Sequence, residues 1–163
     1  MQGSSLPAEY YESIINGMPY GLLVANKNGK FILWNEIAFR LFKIDLRQSK
    51  EQEWVSKWGV FELDGITPYK TEQIPLSRAL RGHIVENEKL YLKYANDTGM
   101  YIRTHAYPIT IKGELVAGVV FVEDITREQM FYDKLERKVA EFREQIQNFF
   151  NNSQLKLQDE KSK

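Results

Sequence analysis

The chain has 163 residues, with 22 basic and 22 acidic side chains, 43% apolar and 13% aromatic residues, two histidines and no cysteine. A single core at this length buries roughly two thirds of the surface that the unfolded chain exposes, so stability requires neither disulfides nor a structural metal. The lack of cysteine excludes disulfide scaffolds, cysteine-ligated zinc or iron–sulfur centres, thiol catalysis and a cysteinyl-flavin adduct. The balanced charge argues against a nucleic-acid partner.

No apolar run approaches the roughly 20 residues that cross a bilayer, and the polar opening from Met1 to Ser5 is not a signal peptide, so a cytoplasmic protein is expected. Periodicity divides the chain into a disordered leader (1–7), a mixed compact region (8–124), an amphipathic helix (125–152) and a frayed polar tail (153–163).

Pro7 followed by Ala8 to Ile15 predicts a short amphipathic helix stopped near Gly17 and Pro19. Gly21 to Ala25 and Lys30 to Trp34 are apolar runs around Asn28-Gly29, a strong hairpin signal. Asn35 can cap a helix over Glu36–Phe42, with Ile37, Leu41 and Phe42 on one face. From Lys43 to Tyr69 the pattern is irregular, but Trp54, Trp58 and Phe61 predict short packed turns. A further helix is expected from Thr71 to a left-handed stop at Gly82. Three strands follow as a meander, Ile84–Tyr94, Met100–Ile111 and Glu114–Glu123. The last is apolar on both faces, as in a central strand. The simplest solution is α+β: a five-stranded antiparallel sheet with helices over one face.

Over residues 8 to 126 the chain resembles the PAS sensor domains. The resemblance rests on Ile14 to Val24, the hairpin Asn28-Gly29-Lys30-Phe31, the junction Trp34 to Phe39, Leu63-Asp64-Gly65, Ile74 to Gly82 and the closing Glu123-Asp124-Ile125-Thr126. It implies a sheet whose concave face and covering helices enclose a small cavity, as in the input modules of sensor kinases and cyclases. It also implies that signals leave through the sheet into the helix beginning at Asp124. Asp124 or Thr126 can accept bonds from the first free amides of that helix, as an output cap.

No nucleophile elbow, phosphate-binding loop, dinucleotide fingerprint or metalloprotease motif occurs, so catalysis and a metal site are not expected. Any effector, such as a histidine kinase or cyclase, would then lie outside this chain, which reads as a piece of a longer protein. His83 and His105 are the conventional haem ligands present; some haem-binding family members place a ligand near the position of His83. Arg103, His105 and Tyr107 share one strand face. Facing a cavity they suit a carboxylate or a flavin ring; facing outward they are a solvated surface. Trp34, Trp54 and Trp58 are either neighbours of a non-covalent flavin or packing residues. Asn35 is either a pocket residue or a cap.

In the tail, Tyr132, Leu135, Val139, Phe142, Ile146 and Phe149 recur at spacings of 3 and 4, the seam of a two-stranded coiled coil. This predicts a homodimer through the C-terminal helix, with the N-terminal helix as a second contact. In a parallel pair Lys138 would face the partner's Arg143, which costs a few tenths of a kcal/mol. A helix folded back onto its own sheet is the other reading. Two functions follow: a sensor that binds a small ligand or cofactor and biases the tail helices, or a ligand-free interaction and dimerisation module. The interior separates them; if Trp34, Phe39, Leu80, Ile102 and Phe121 close it, the second holds.

Overall fold

Alternation of side chains decides which face of each strand is buried, and strand register carries that choice across the sheet. The computed structural model describes residues 7–43 and 50–161, with side chains through residue 151. All of the expected leader except Pro7, and the side chains of the expected frayed tail, lie outside the described residues.

Helix α1 (Ala8–Gly17) precedes the hairpin β1 (Gly21–Asn26) and β2 (Phe31–Trp34). Helices α2 (Glu36–Phe42) and α3 (Trp54–Trp58), strand β3 (Val60–Phe61) and helix α4 (Pro75–Ala79) follow. The chain then runs through β4 (Val85–Lys93), β5 (Gly99–Ile111) and β6 (Glu114–Asp124). Helix α5 (Thr126–Lys161) forms a second unit, divided from the first after Ile125. The sheet order is β2-β1-β6-β5-β4-β3 with antiparallel pairing throughout. The five expected strands are present with β6 central, and β3 adds a sixth, two-residue strand within the stretch read as turns.

Local chemistry accounts for the turns. The Asn26 carboxamide oxygen accepts from the amides of Asn28 and Lys30 at 3.0 and 3.1 Å, and Gly29 takes φ 73° to close the hairpin. Lys112 and Gly113, both left-handed at φ 51° and 84°, turn β5 into β6 in two residues. Gly59 is required where α3 hands over to β3: a Cβ there would lie 2.0 Å from the Lys93 carbonyl oxygen.

The helix expected from Thr71 to Gly82 is instead a 3-10 turn, Thr71–Gln73, followed by α4. The break falls at Ile74, held extended (φ −53°, ψ 135°) because the following proline disfavours the helical conformation there. Pro75 then starts α4, where its missing amide costs nothing. Gly82 (φ 87°) ends the segment as expected.

One sheet face carries Leu23, Ala25, Leu92, Ile102, Ala106, Val120 and Val122, all buried in the core with residues of α2, α3 and α4. Gly118 on this face lets α4 approach, since a Cβ would meet Ala79, Leu80 and Leu76 at 3.2–3.3 Å.

Asn35 fixes the junction between elements. Its oxygen accepts from the amides of Leu22 (3.0 Å) and Ala38 (2.9 Å), capping α2. Its amide nitrogen donates to the carbonyls of Ile15 (3.0 Å) and Tyr20 (2.8 Å). The side chain is 1% exposed and uses its full bonding capacity, tying α1, β1 and α2 together. Asn35→Ala is therefore expected to lower unfolding free energy by about 2–4 kcal/mol, because it strands buried backbone groups as well as removing a cap. Urea denaturation checks this; a loss below about 0.5 kcal/mol would contradict the junction role.

Candidate functional site

Two places on the first unit are candidates for binding: the interior between sheet and helices, and the opposite sheet face. In the interior, Trp54 and Trp58 stand one helical turn apart on α3 and stack with ring centroids 4.9 Å apart and planes inclined by 14°. Phe31 packs 5.1 and 5.3 Å from the two indoles, and the Phe42 ring meets Trp58 edge-on at 5.2 Å. The space left is about 20 Å³, bordered by Phe42, Trp58, Leu76, Leu92, Ile102 and Thr104 among others. That is room for about one water, whereas organic ligands occupy pockets of roughly 300–1,000 Å³.

The interior is thus closed, though not by the set expected. Leu80 and Ile102 are buried in it and Trp34 packs at its margin, half-buried. Phe39 is 52% exposed on α2. Phe121 pairs with His105 and lies on the opposite face. Neither a flavin nor a haem fits the residues present. The space of about 20 Å³ left beside the indoles is too small for either ring, His83 is exposed beyond Gly82, and His105 belongs to the other face. Thr104, the buried polar residue at this margin, donates its hydroxyl to the Glu88 carbonyl at 2.9 Å. The Glu88 carboxylate accepts from the Tyr69 phenol and from Arg78, the latter at 2.6 Å. Burial, then the Glu88 carboxylate, push the Tyr69 phenol well above the usual range.

The other face brings Arg103, His105 and Tyr107 together, as their alternation requires, and turns them away from the core. They line an open groove of about 810 Å³ with Met18, Pro19, Tyr20, Asn87, Phe121 and Glu123. The polar groups are engaged locally: Arg103 pairs with Glu123 at 3.0 Å, Tyr107 donates to Glu86 at 3.2 Å, and the Asn87 amide donates to His105 Nδ1 at 3.3 Å. Partial desolvation, then Glu86, raise the Tyr107 phenol above its ordinary value. A carboxylate ligand here would compete with Glu123 for the guanidinium fork. Glu123 was not singled out from sequence as a groove residue and Phe121 was expected in the interior; the β5–β6 register sets them opposite Arg103 and His105 on the outer face. Trp34 lines a different groove, with Ile32, Leu33 and residues of α1. Asp124 ends β6 opposite Ile102, and Thr126 is the first residue of α5. Among the described residues no group of three or more His, Asp and Glu is placed to hold a metal, and no helix is long and apolar enough to cross a membrane.

If Trp58 serves packing, Trp58→Ala should destabilise the domain by about 3–5 kcal/mol in chemical denaturation. A change below about 1 kcal/mol would return Trp58 to the role of a ligand neighbour.

Residues 9–78 match the family model described as a PAS domain. No curated protein matches the chain in sequence. Among solved structures, the chain is similar to the PAS domain of a protein from Colwellia psychrerythraea, at 16% identity and TM-score 0.50, covering 73% of this chain and 97% of that one. It is also similar to the Rhodobacter sphaeroides LOV protein, at 12% identity and TM-score 0.51, covering 73% of this chain and 67% of that one. Similarity extends to an RNA-binding Light-Oxygen-Voltage receptor, at 11% identity and TM-score 0.59, covering 86% of this chain and 40% of that one. At these identities the structural matches speak to the fold. The sequence match over residues 9–78 and the strand topology together support a PAS domain in the first unit.

Proposed function

We propose that the chain is a PAS signalling module that works through protein contacts at its surface, with α5 as a dimerising output helix. The carrying observation is a contrast. The interior is filled to within about 20 Å³, while Tyr132, Leu135, Val139, Phe142, Ile146 and Phe149 on α5 remain 42–70% exposed. Side chains of this kind gain about 1.5–3 kcal/mol each on full burial, which is the driving force a helix pair needs to offset the entropy of association. Tyr10, Tyr11 and Ile14 on α1 are likewise about half exposed and offer a second contact.

Output in this reading runs through the segment Asp124-Ile125-Thr126. Ile125 is buried and its amide donates to the Tyr101 carbonyl at 2.9 Å, so a change in the sheet reaches the residue next to α5. Two tail arrangements separated by a few kcal/mol could then be biased by whatever binds the domain. The effector, a histidine kinase or a cyclase, lies outside this chain; the chain itself is non-catalytic and acts in the cytoplasm. A second reading, detection of a small ligand, is favoured by one feature, the groove of about 810 Å³ with Arg103, His105 and Tyr107 on its wall. In that case the ligand occupies the outer sheet face rather than the interior.

Sedimentation of the full chain tests the seam. The expected result is a dimer at roughly 10–100 µM that the pair Leu135→Asp and Ile146→Asp converts to monomer, because each would place a charge in an apolar contact. Circular dichroism should be unchanged. A wild-type monomer across that range would contradict the proposal.

A further inference from the structure

Apolar seam residues alone permit two helices to pair in either direction; what decides is the pattern around them. Resting on the dimer reading above, we infer that two copies of α5 pair antiparallel, about a two-fold axis passing between Ala140 and Glu141.

The first observation is the symmetry of the seam within one helix. Counted outward from that point, Val139 and Phe142 are equidistant, as are Leu135 and Ile146, Tyr132 and Phe149, and Phe131 and Phe150. All eight are exposed on α5. An antiparallel pair therefore sets each of the six a and d residues opposite another, with no overhang, while Phe131 and Phe150 flank its two ends. It also matches sizes: the small Val139 meets the large Phe142 of the partner, twice. A parallel pair stacks Val139 on Val139 and Phe142 on Phe142, so narrow and wide layers alternate and pack less evenly.

The second observation is charge, and it is independent of the first. With Tyr132, Val139 and Ile146 at a and Leu135, Phe142 and Phe149 at d, Glu136 and Arg143 occupy e while Lys138 and Gln145 occupy g. In a parallel pair g contacts the partner's following e, which brings Lys138 against Arg143 twice. In an antiparallel pair e flanks e and g flanks g. Glu136 then faces the partner's Arg143 twice, and Lys138 faces Gln145. The same side chains repel in one direction and attract in the other, so the exposed charges select against the parallel arrangement. A two-fold contact in which residue i meets residue j and j meets i is closed, so it stops at two copies.

The test uses the full chain and two readouts. In sedimentation equilibrium at low salt, Arg143→Glu alone and Glu136→Lys alone should each weaken the dimer about tenfold, and the double variant should return to within about twofold of wild type. Tightening by Arg143→Glu would mean that Lys138 had gained a partner, and would overturn the antiparallel assignment. The second readout is a spin label on Arg127→Cys, a unique site because the chain has no cysteine. Antiparallel pairing sets the two labels roughly 40 Å apart or more along the helix axis, and parallel pairing brings them to within about 20–25 Å. A short distance with an intact dimer overturns the direction while leaving dimerisation standing. A monomeric wild type removes the dimer reading, and a dimer indifferent to every α5 variant places the contact elsewhere; either result overturns this inference too.

Discussion

A curled antiparallel sheet with short helices on one face encloses a space, and how that space is filled decides what else the domain can do. In this chain α3 supplies two indoles at positions one helical turn apart, and their stack, with Phe31 and Phe42 around it, leaves room for little more than a water. Burial of this much aromatic area makes the cluster a large contributor to the core. Because it uses up the interior, the proposed function places recognition on the surfaces: the outer sheet groove, the half-exposed face of α1 and the apolar stripe of α5. The Asn35 junction supports the same arrangement from the other side. It locks the end of α1 and the start of β1 against α2, so the segment Met18-Pro19-Tyr20 that walls the outer groove is held at both ends by the Asn35 side chain, which donates to the Ile15 and Tyr20 carbonyls.

The outer groove differs in kind from the interior. Its charged and polar groups already have partners within the sheet, Arg103 with Glu123 and Tyr107 with Glu86, so binding there means exchanging one set of paired groups for another. Such a surface favours a partner that brings its own complementary charges and can stack on Phe121 and Tyr107. The α5 stripe is the opposite case, an exposed apolar row whose burial would be favourable in itself.

Much of this was legible in the residues. Asn28-Gly29 and Gly82 placed their turns because left-handed backbone is a local requirement that few residues meet. The apolar run in β6 announced a central strand. What stayed hidden depended on distant partners. Phe121 sits between Val120 and Val122, so alternation could not say which face it joins; the answer comes from the two-residue turn at Lys112-Gly113 and the irregularity between Ile109 and Thr110. Phe39 looked like a core residue by type, but α2 buries Ala38 and Phe42 instead. Strand β3 has two residues, too few to show a period. For Trp54 and Trp58 the sequence favoured packing but left the role of ring neighbour open, since only the space around them distinguishes the two. The groove wall at Met18 to Tyr20 lies some eighty residues from Arg103 in the chain, and no local signal joins them.

The central claim, that this module acts through contacts between chains and not through a cofactor held inside, meets its most direct test in native mass spectrometry of the 163-residue chain. One spectrum reports both stoichiometry and bound mass. The account expects a species at twice the sequence mass with no additional component. A monomer carrying a few hundred extra daltons would contradict it, and would mean that the interior opens to admit a ligand.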